Sequence, residues 1–156
     1  MTLYDRLLND MKSAMKDKEG GKLKLAVIRM VRASLQNAEI EKKRPLTEEE
    51  VLDLVAREMK LRQDAIDSVP QEQREHRQSY LAQLEEEKEI LQEYLPEPLS
   101  SEELQKVVAE AIAEVDAASP KDMGRVMSVL MPRVKGRVDG KVVNSMVREM
   151  LVPEDE

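Results

Sequence analysis

The segment Met123–Leu151 reads MGRVMSVLMPRVKGRVDGKVVNSMVREML and contains two amphipathic helical patterns and three of the five glycines in the chain. From Lys121 to Leu151 there are seven Lys or Arg and three Asp or Glu, so this segment has a net charge of +4. The whole chain has a net charge of −7. A local reversal of charge in an acidic protein indicates a surface for a negatively charged partner.

The composition predicts an all-α fold of small helical bundles. The 156 residues include ten Met but no Phe, Trp or Cys, and Ala, Leu, Glu, Lys and Arg are abundant. These residues favour helices, whereas β-branched runs are short. No apolar stretch approaches the roughly 18 residues that a membrane span needs, and the N-terminus lacks the apolar core of a signal peptide. The absence of cysteine fits a reducing compartment, so we expect a cytoplasmic location.

Caps, glycines and prolines predict four helices followed by three. The predicted helices run from Thr2 to Gly20-Gly21, from about Lys22 to Lys43, from Thr47 toward Ser68, from about Gln71 to Tyr94, onward from Ser100, from Ser119 to Pro132, and from Asp139 to about Leu151. Thr47 and Ser100 each begin a capping-box pattern. Pro96 and Pro98 end the fourth helix because proline lacks the backbone donor. The sequence therefore predicts an N-terminal bundle over residues 1–95 and a C-terminal three-helix domain over 96–156.

Helical spacing assigns the faces of these helices. The predicted apolar stripes contain Leu23, Val27, Met30, Val31, Leu35 and Ala38 on the second helix, and Tyr80, Leu84, Leu91 and Leu95 on the fourth. They contain Met123, Val126, Met127 and Leu130 on the sixth helix, and Val143, Met146, Val147 and Met150 on the seventh. Polar side chains lie opposite these last two stripes, namely Lys121, Arg125, Ser128, Lys141, Asn144 and Arg148. The last two helices therefore bury one side and present basic, hydrogen-bonding groups on the other.

The glycines of the basic segment have separate explanations. Gly124 inside a helix costs roughly 1 kcal/mol relative to Ala, so we expect close packing or a closely approaching ligand there. Gly136 permits a positive φ in a loop that also holds Arg133, Lys135 and Arg137. Gly140 leaves the first N–H groups of the seventh helix unobstructed, and a helix N-terminus beside Lys141 suits a phosphate.

The segment is not a P-loop. Gly136 and Gly140-Lys141 are one residue too close together, Val142 stands where Ser or Thr is needed, and no strand precedes them. From these residues alone, a phosphate-binding surface and an ordinary solvated face with glycines serving turns both stay open.

The same run resembles the signature of the GatB/YqeY family. This family comprises the tail domain of the B subunit of tRNA-dependent amidotransferases and a free-standing relative. The segments Tyr94-Leu95-Pro96 and IRMVRASLQNAEIEK from Ile28 resemble the free-standing form, so the resemblance covers nearly the whole chain. Val138 departs from the pattern, where Ala is expected, and only mildly affects loop packing. The resemblance implies a four-helix bundle followed by a three-helix bundle.

The resemblance also implies a partner and a site. In the amidotransferase the tail domain is thought to contact the body of the tRNA, while the catalytic centre lies elsewhere. The resemblance therefore implies tRNA or another structured RNA as partner, and an amidotransferase or an aminoacyl-tRNA synthetase as a possible protein partner. The implied RNA-binding positions are Lys121, Arg125, Lys135, Gly136, Arg137, Gly140, Lys141, Asn144 and Arg148.

The remaining polar residues offer no catalytic pattern. His76 is the only histidine and has no Cys, second His or paired carboxylate at ligand spacing, so we expect it at the surface. A catalytic triad needs such a base, and the serines lie in helical patterns. The run Glu85-Glu86-Glu87 is most simply a solvated helix face. We therefore expect no catalytic site, metal or cofactor, although participation in glutamine-dependent carbon–nitrogen ligase chemistry and a role as a protein-interaction module are alternatives.

Two charged features have open interpretations. Glu58 and Arg62 are four residues apart within an apolar stripe, so they either form a partly buried pair between helices or extend to solvent. The second helix and its end, residues 22–44, have a net charge of +5, whereas residues 45–120 have −13. Its basic face, with Lys22, Arg29 and Arg32, is either a second RNA contact or a docking site for the protein's own acidic helices.

Overall fold

The computed structural model describes residues 1–151, and this part of the chain is helical without any strand. The seven α-helices are α1 Leu3–Lys16, α2 Lys22–Lys42, α3 Glu48–Asp67, α4 Gln78–Gln92, α5 Ser101–Glu114, α6 Met123–Val134 and α7 Gly140–Leu151. Short 3-10 helices cover Lys18–Gly21, Gln71–Gln73 and Pro120–Asp122. The predicted all-α fold is confirmed. Within the described residues, none of the helices has both the length and the apolar character to cross a membrane.

The chain divides into two compact units, Met1–Pro96 and Glu97–Glu156. We call them the N-terminal unit and the C-terminal unit. The N-terminal unit contains α1 to α4, and the C-terminal unit contains α5 to α7. Residues 152–156, at the end of the predicted second domain, lie outside the described residues.

Three helices begin with a capping box. The hydroxyls of Thr2, Thr47 and Ser100 each accept a hydrogen bond from the backbone N–H three residues later. The carboxylate at that later position bonds back to the N–H of the cap. Each box satisfies two backbone donors that the first helical turn leaves without intrahelical partners. The predicted boxes at Thr47 and Ser100 are confirmed.

The first helix ends earlier than its glycines predicted. The α-helical ladder of α1 stops at Lys16, and Lys18, with a positive φ of 50°, is the first residue of the 3-10 helix that contains both glycines. Gly21 serves close packing instead, since a Cβ on it would lie 2.2 Å from the carbonyl oxygen of Ala14. The last turn of α1 and the start of α2 therefore approach more closely than any side chain at Gly21 would permit.

Two other helix boundaries differ from expectation. The fourth helix begins at Gln78, because residues 71–77 form a 3-10 helix followed by turns. Pro132 lies inside α6, which continues to Val134. Proline removes one backbone donor, but its fixed φ is compatible with a helix. The helix ends two residues after Pro132. Lys135, with ψ of 128°, then leaves the helical conformation.

The core of the N-terminal unit is aliphatic, with one tyrosine. Its buried residues are Leu3, Leu7, Val27, Ile28, Val31, Leu35, Val51, Val55, Leu91 and Tyr94. Removing a Leu or Val side chain from water in this way contributes about 1.5–3 kcal/mol. The stripe predictions were wrong for Met30, which is 51% exposed, and for Tyr80, which is 42% exposed. Ile28 is fully buried, because α2 packs against α1, α3 and α4.

A charged trio crosses the interior of the N-terminal unit. Arg62 on α3 pairs with Glu58 through Nη1 at 3.0 Å and with Glu87 on α4 through Nε at 3.1 Å. All three residues are at least nine-tenths buried. The alternative of a buried Glu58–Arg62 pair is therefore correct. The solvated-face interpretation is wrong for Glu87, which is buried, and holds for the exposed Glu85 and Glu86.

The core of the C-terminal unit is formed by one face from each of its three helices. Its buried residues are Leu104, Val108 and Ala111 from α5, Val126, Leu130 and Val134 from α6, and Val143, Val147 and Leu151 from α7. Half-buried methionines, including Met123, Met127, Met146 and Met150, pack around this centre. Methionine fills irregular gaps well because its side chain is unbranched and polarizable. The predicted apolar stripes of the last two helices are therefore confirmed.

Candidate nucleic-acid interface

All nine predicted RNA-binding residues belong to the C-terminal unit. Lys121 lies in the 3-10 helix before α6, and Arg125 lies in the first part of α6. Lys135, Gly136 and Arg137 lie between α6 and α7, and the remaining four residues, Gly140, Lys141, Asn144 and Arg148, lie on α7. The exposed side chains among them are Lys121, Arg125, Lys135, Lys141 and Arg148. The structure thus separates five exposed cations from four positions that are partly covered.

Arg125 is held by contacts within its own unit. Its Nη1 lies 3.4 Å from Oδ1 of Asp122, and its Nη2 donates to the carbonyl of Val115 at the end of α5. The pKa of Asp122 is lowered, chiefly because its carboxylate accepts a hydrogen bond from the Ala118 N–H. Arg125 also lowers this pKa through its charge. Arg125 therefore joins the end of α5 to the start of α6, and its guanidinium is only partly available to a ligand.

Arg137 is fixed by both its backbone and its side chain. Its N–H donates to the carbonyl of Val134, and its carbonyl accepts from the N–H of Leu99, both at 2.9 Å. Its Nε donates to the carbonyl of Glu97 at 3.0 Å. Gly136 has a φ of 76°, which a residue with a side chain rarely adopts, so the predicted role of this glycine is confirmed. Arg137 therefore shapes the loop that carries Lys135.

The N-terminus of α7 differs from the predicted open phosphate site. The carboxylate of Asp139 accepts a hydrogen bond from the Lys141 N–H at 2.9 Å. A negative charge thus already occupies the end of the helix where a phosphate would be stabilised. Sequence reasoning missed this function of Asp139, although Asp directly before the first helical residue is a strong N-cap signal. The expectation of unobstructed N–H groups at Gly140 was wrong.

Gly124 also has a different environment from the one predicted. It lies in the first turn of α6 and not in a helix interior, and a Cβ on it would meet nothing within 4 Å. The expected close packing is therefore absent at this position. Arg133, predicted in the loop, lies in the last turn of α6 and forms an ion pair with Glu114 of α5.

Lys141 and Arg148 lie along one side of α7. They are seven residues apart, which is close to two helical turns, and Asn144 lies between them. Arg148 Nη2 lies 3.4 Å from Oδ1 of Asn144. The buried residues Val143 and Val147 hold the opposite side of the helix in the core. This phasing fixes two cations and an amide in a row on the surface of the C-terminal unit.

The described residues contain no arrangement typical of an enzyme. His76 is exposed, as predicted. Within residues 1–151, no group of three or more His, Cys, Asp or Glu side chains could hold a metal ion. The charged trio around Arg62 is bonded to itself and to neighbouring side chains of its own bundle.

The fold and this surface define an all-α protein of two helical units, one of which carries a basic, glycine-containing face. The chain belongs to the Yqey-like protein family, whose model matches residues 4–151. That family is related to the C-terminal tail domain of GatB. No curated protein matches the chain.

Proposed function

We propose that this protein is a non-catalytic RNA-binding accessory protein, with tRNA or another structured RNA as its partner. The observation that carries the proposal is the segregation of charge within the C-terminal unit. Residues 97–120 contain one basic and six acidic residues, a net charge of −5, whereas residues 121–151 have +4. Apart from Lys106 on α5, the exposed positive side chains of the described part of this unit therefore lie on α6, α7 and their connections. The family relation to an amidotransferase tail domain supports the same partner.

The proposed contact is to phosphates and to the shape of the RNA. The three tyrosines, Tyr4, Tyr80 and Tyr94, all lie in the N-terminal unit, and the chain has no Phe or Trp. The C-terminal unit therefore has no aromatic ring on which an unpaired base could stack. A folded RNA, whose backbone geometry is preformed, suits such a surface better than a single strand. The proposed location is the cytoplasm, where reducing conditions suit a chain without cysteine.

The six cations among the nine predicted residues have two different functions within this proposal. Lys121, Lys135, Lys141 and Arg148 are exposed and contact phosphates. Arg125 and Arg137 are positioning residues, because their guanidinium groups bond to backbone carbonyls of the C-terminal unit.

The test is binding of purified tRNA to the full chain as a function of salt concentration. We expect the logarithm of the association constant to fall linearly with the logarithm of salt concentration. The variant Lys141→Glu should bind more weakly. Lys106→Glu is the matched control, because Lys106 is an exposed lysine on the acidic helix α5 and makes the same change of charge. Equal affinities of the two variants, or binding that is independent of salt, would contradict the proposal.

A further inference from the structure

The outer face of α2 in the N-terminal unit exposes a row of uncharged residues. Ala26, Met30, Ala33, Asn37 and Ile40 recur at intervals of three and four, so they form one stripe along the helix. Met30 is 51% exposed and Ile40 is 73% exposed, and the other three residues are also exposed. Large apolar side chains in a continuous row on a helix surface mark a site of interaction more often than scattered ones do.

The sizes of these residues suit a second helix. Ala26 and Ala33 have small side chains and alternate with the larger Met30 and Asn37 along the stripe. Helices pack by placing the ridges of one in the grooves of the other, at interaxial distances of about 8–10 Å. The alanines provide the shallow places where a partner's large side chains can lie, while Met30 and Ile40 provide the ridges.

The charge beside this stripe is positive. From Lys22 to Ala38, α2 contains the basic residues Lys22, Lys24, Arg29 and Arg32 and no acidic residue. Near both ends, the fold supplies carboxylates of its own. Lys24 pairs with Glu93 at 3.2 Å, and Glu50 pairs with Lys42 and with Arg44. These ion pairs involve none of Lys22, Arg29 and Arg32, so neither of the two interpretations of that basic face is decided by them.

The two arginines in the middle of α2, Arg29 and Arg32, pair with no carboxylate within the described residues, although Glu58 accepts a hydrogen bond from Ser34 there. Arg29 is exposed and forms no ion pair there. Arg32 is half-buried, its Nη1 lies 3.1 Å from the sulfur of Met11, and its Nε is buried without a hydrogen-bond partner in residues 1–151. Sulfur is a weak acceptor. Arg29 is therefore the cation of this region that a carboxylate from outside can reach, and the charge-assisted hydrogen bond it would form is one that the bundle itself does not supply.

We propose that the outer face of α2 is a docking surface for an acidic amphipathic helix of a partner protein. The apolar side of the partner packs on Ala26, Met30, Ala33 and Ile40, and its Asp or Glu side chains face Arg29. Recognition of an amphipathic helix through apolar anchors at this spacing is a common mode of protein interaction. The surface is distinct from the basic face of the C-terminal unit.

The composition of the stripe favours a protein over RNA or a second copy. Met30 and Ile40 gain by leaving water against apolar side chains, which a phosphate backbone does not provide. Antiparallel pairing of α2 with itself, centred on Ala33, would bring Lys22 of one copy toward Arg44 of the other. Parallel pairing would bring the two Arg29 side chains together. Both arrangements place like charges opposite each other at the interface.

The test measures binding of fluorescent peptides to the full chain by anisotropy. The probe is an amphipathic peptide of 21 residues, the length of α2, with a leucine seam and glutamate flanks. The first control peptide has lysine flanks, and the second has serine in place of the leucine seam. We expect only the probe with the leucine seam and glutamate flanks to bind, with micromolar affinity suited to a small interface.

Substitutions then locate the binding surface. Arg29→Glu should weaken binding of the probe by about tenfold or more, because a like charge then faces its glutamates. Met30→Ser/Ile40→Ser should abolish binding by removing both apolar anchors. Lys60→Glu is the control, because Lys60 is exposed on α3 of the same unit. All these positions are exposed, and thermal melts should confirm that each variant is folded.

Three results would overturn the proposal. The first is a probe that binds no more tightly than the lysine-flanked peptide, or that binds equally to all variants. The second is an RNA hairpin whose binding is weakened as much by Arg29→Glu as by Lys141→Glu, which would make α2 an RNA contact. The third is a dimer in sedimentation experiments that Ile40→Ser converts to a monomer, which would make the occupant a second copy.

Discussion

The N–H of Leu99 donates a hydrogen bond to the carbonyl of Arg137 at 2.9 Å, and the side chain of Arg137 returns a second bond to the Glu97 carbonyl. These two bonds join the start of the C-terminal unit to the loop between α6 and α7. The loop that carries Lys135 is therefore shaped by a residue that the sequence alone placed in the RNA contact itself.

Replacement of Arg137 should separate these two functions. Arg137→Ala removes the hydrogen bond from Nε, so we expect a loss of about 1–3 kcal/mol in the free energy of unfolding. The salt dependence of tRNA binding should keep its slope, because no phosphate contact is lost. Lys141→Ala should instead reduce the slope by about one unit, and the loss of an exposed interaction should cost less than about 1 kcal/mol in the free energy of unfolding. Urea titration followed by circular dichroism, with binding at several salt concentrations, would show whether Arg137 acts in this way.

The charged trio of the N-terminal unit should be sensitive to loss of its cation. Arg62→Met leaves Glu58 and Glu87 buried beside each other without a counter-charge, so we expect destabilisation of about 3–5 kcal/mol. Lys24→Ala, which breaks the exposed pair with Glu93, should cost less than about 1 kcal/mol.

A double-mutant cycle of Glu58→Gln and Arg62→Met measures the interaction directly. We expect a coupling energy of about 0.5–3 kcal/mol, as found for residues that share a network. A coupling energy below about 0.3 kcal/mol would mean that the Glu58–Arg62 ion pair contributes almost nothing to stability although it is buried.

Local signals predicted much of this fold, and long-range contacts account for what the sequence did not show at Glu87 and Arg137. Thr47 and Ser100 could be predicted to begin helices, because each cap and its carboxylate partner are only three residues apart in sequence. Val126 and Leu130 reveal their buried face by spacing alone. Glu87 looked like part of a solvated run, since only the approach of α3 brings Arg62 to it, 25 residues away in sequence. The hydrogen bonds of Arg137 could not be predicted for the same reason, because its partners Glu97 and Leu99 precede it by about forty residues.

The acid sensitivity of the N-terminal unit should depend on Glu50. Hydrogen bonds from Arg44, and then from Lys42 and the Thr47 N–H, hold the pKa of this carboxyl far below its ordinary value of 4.5. Because the folded-state pKa is the lower one, Glu50 adds stability at pH values above about 4.5, and this contribution is lost as the pH falls below that value. Thermal melts between neutral and acidic pH should therefore show a smaller loss of stability in Glu50→Gln than in the unmodified protein.

The alkaline side of the stability curve should depend on Tyr94. Burial, and then the hydrogen bond to the Asp10 carboxylate, raises the pKa of the Tyr94 hydroxyl well above its ordinary value of 10.0. A raised pKa means that the folded state retains the proton, so the contribution of Tyr94 is complete below pH 10 and declines above it. Tyr94→Phe should remove this alkaline decline, and the Asp10→Asn variant should reduce it. Melts across this range that are parallel for all three proteins would contradict this assignment.

The Asp139 carboxylate at the start of α7 should oppose the proposed RNA contact while it supports the helix. Asp139→Asn removes the negative charge but retains a good N-cap, because asparagine can accept the same hydrogen bond from the Lys141 N–H. We therefore expect a loss of at most about 0.3–1 kcal/mol in the free energy of unfolding, which is the contribution of a charge at a helix terminus. We expect tighter tRNA binding, because one negative charge no longer repels the phosphates. Glu149→Gln makes the same change of charge at an exposed position near the other end of α7. If phosphates approach the N-terminus of α7, Asp139→Asn should increase affinity more than Glu149→Gln does. Equal increases would mean that only the total charge of the unit matters, and the RNA would then have to be assigned to another part of the basic face.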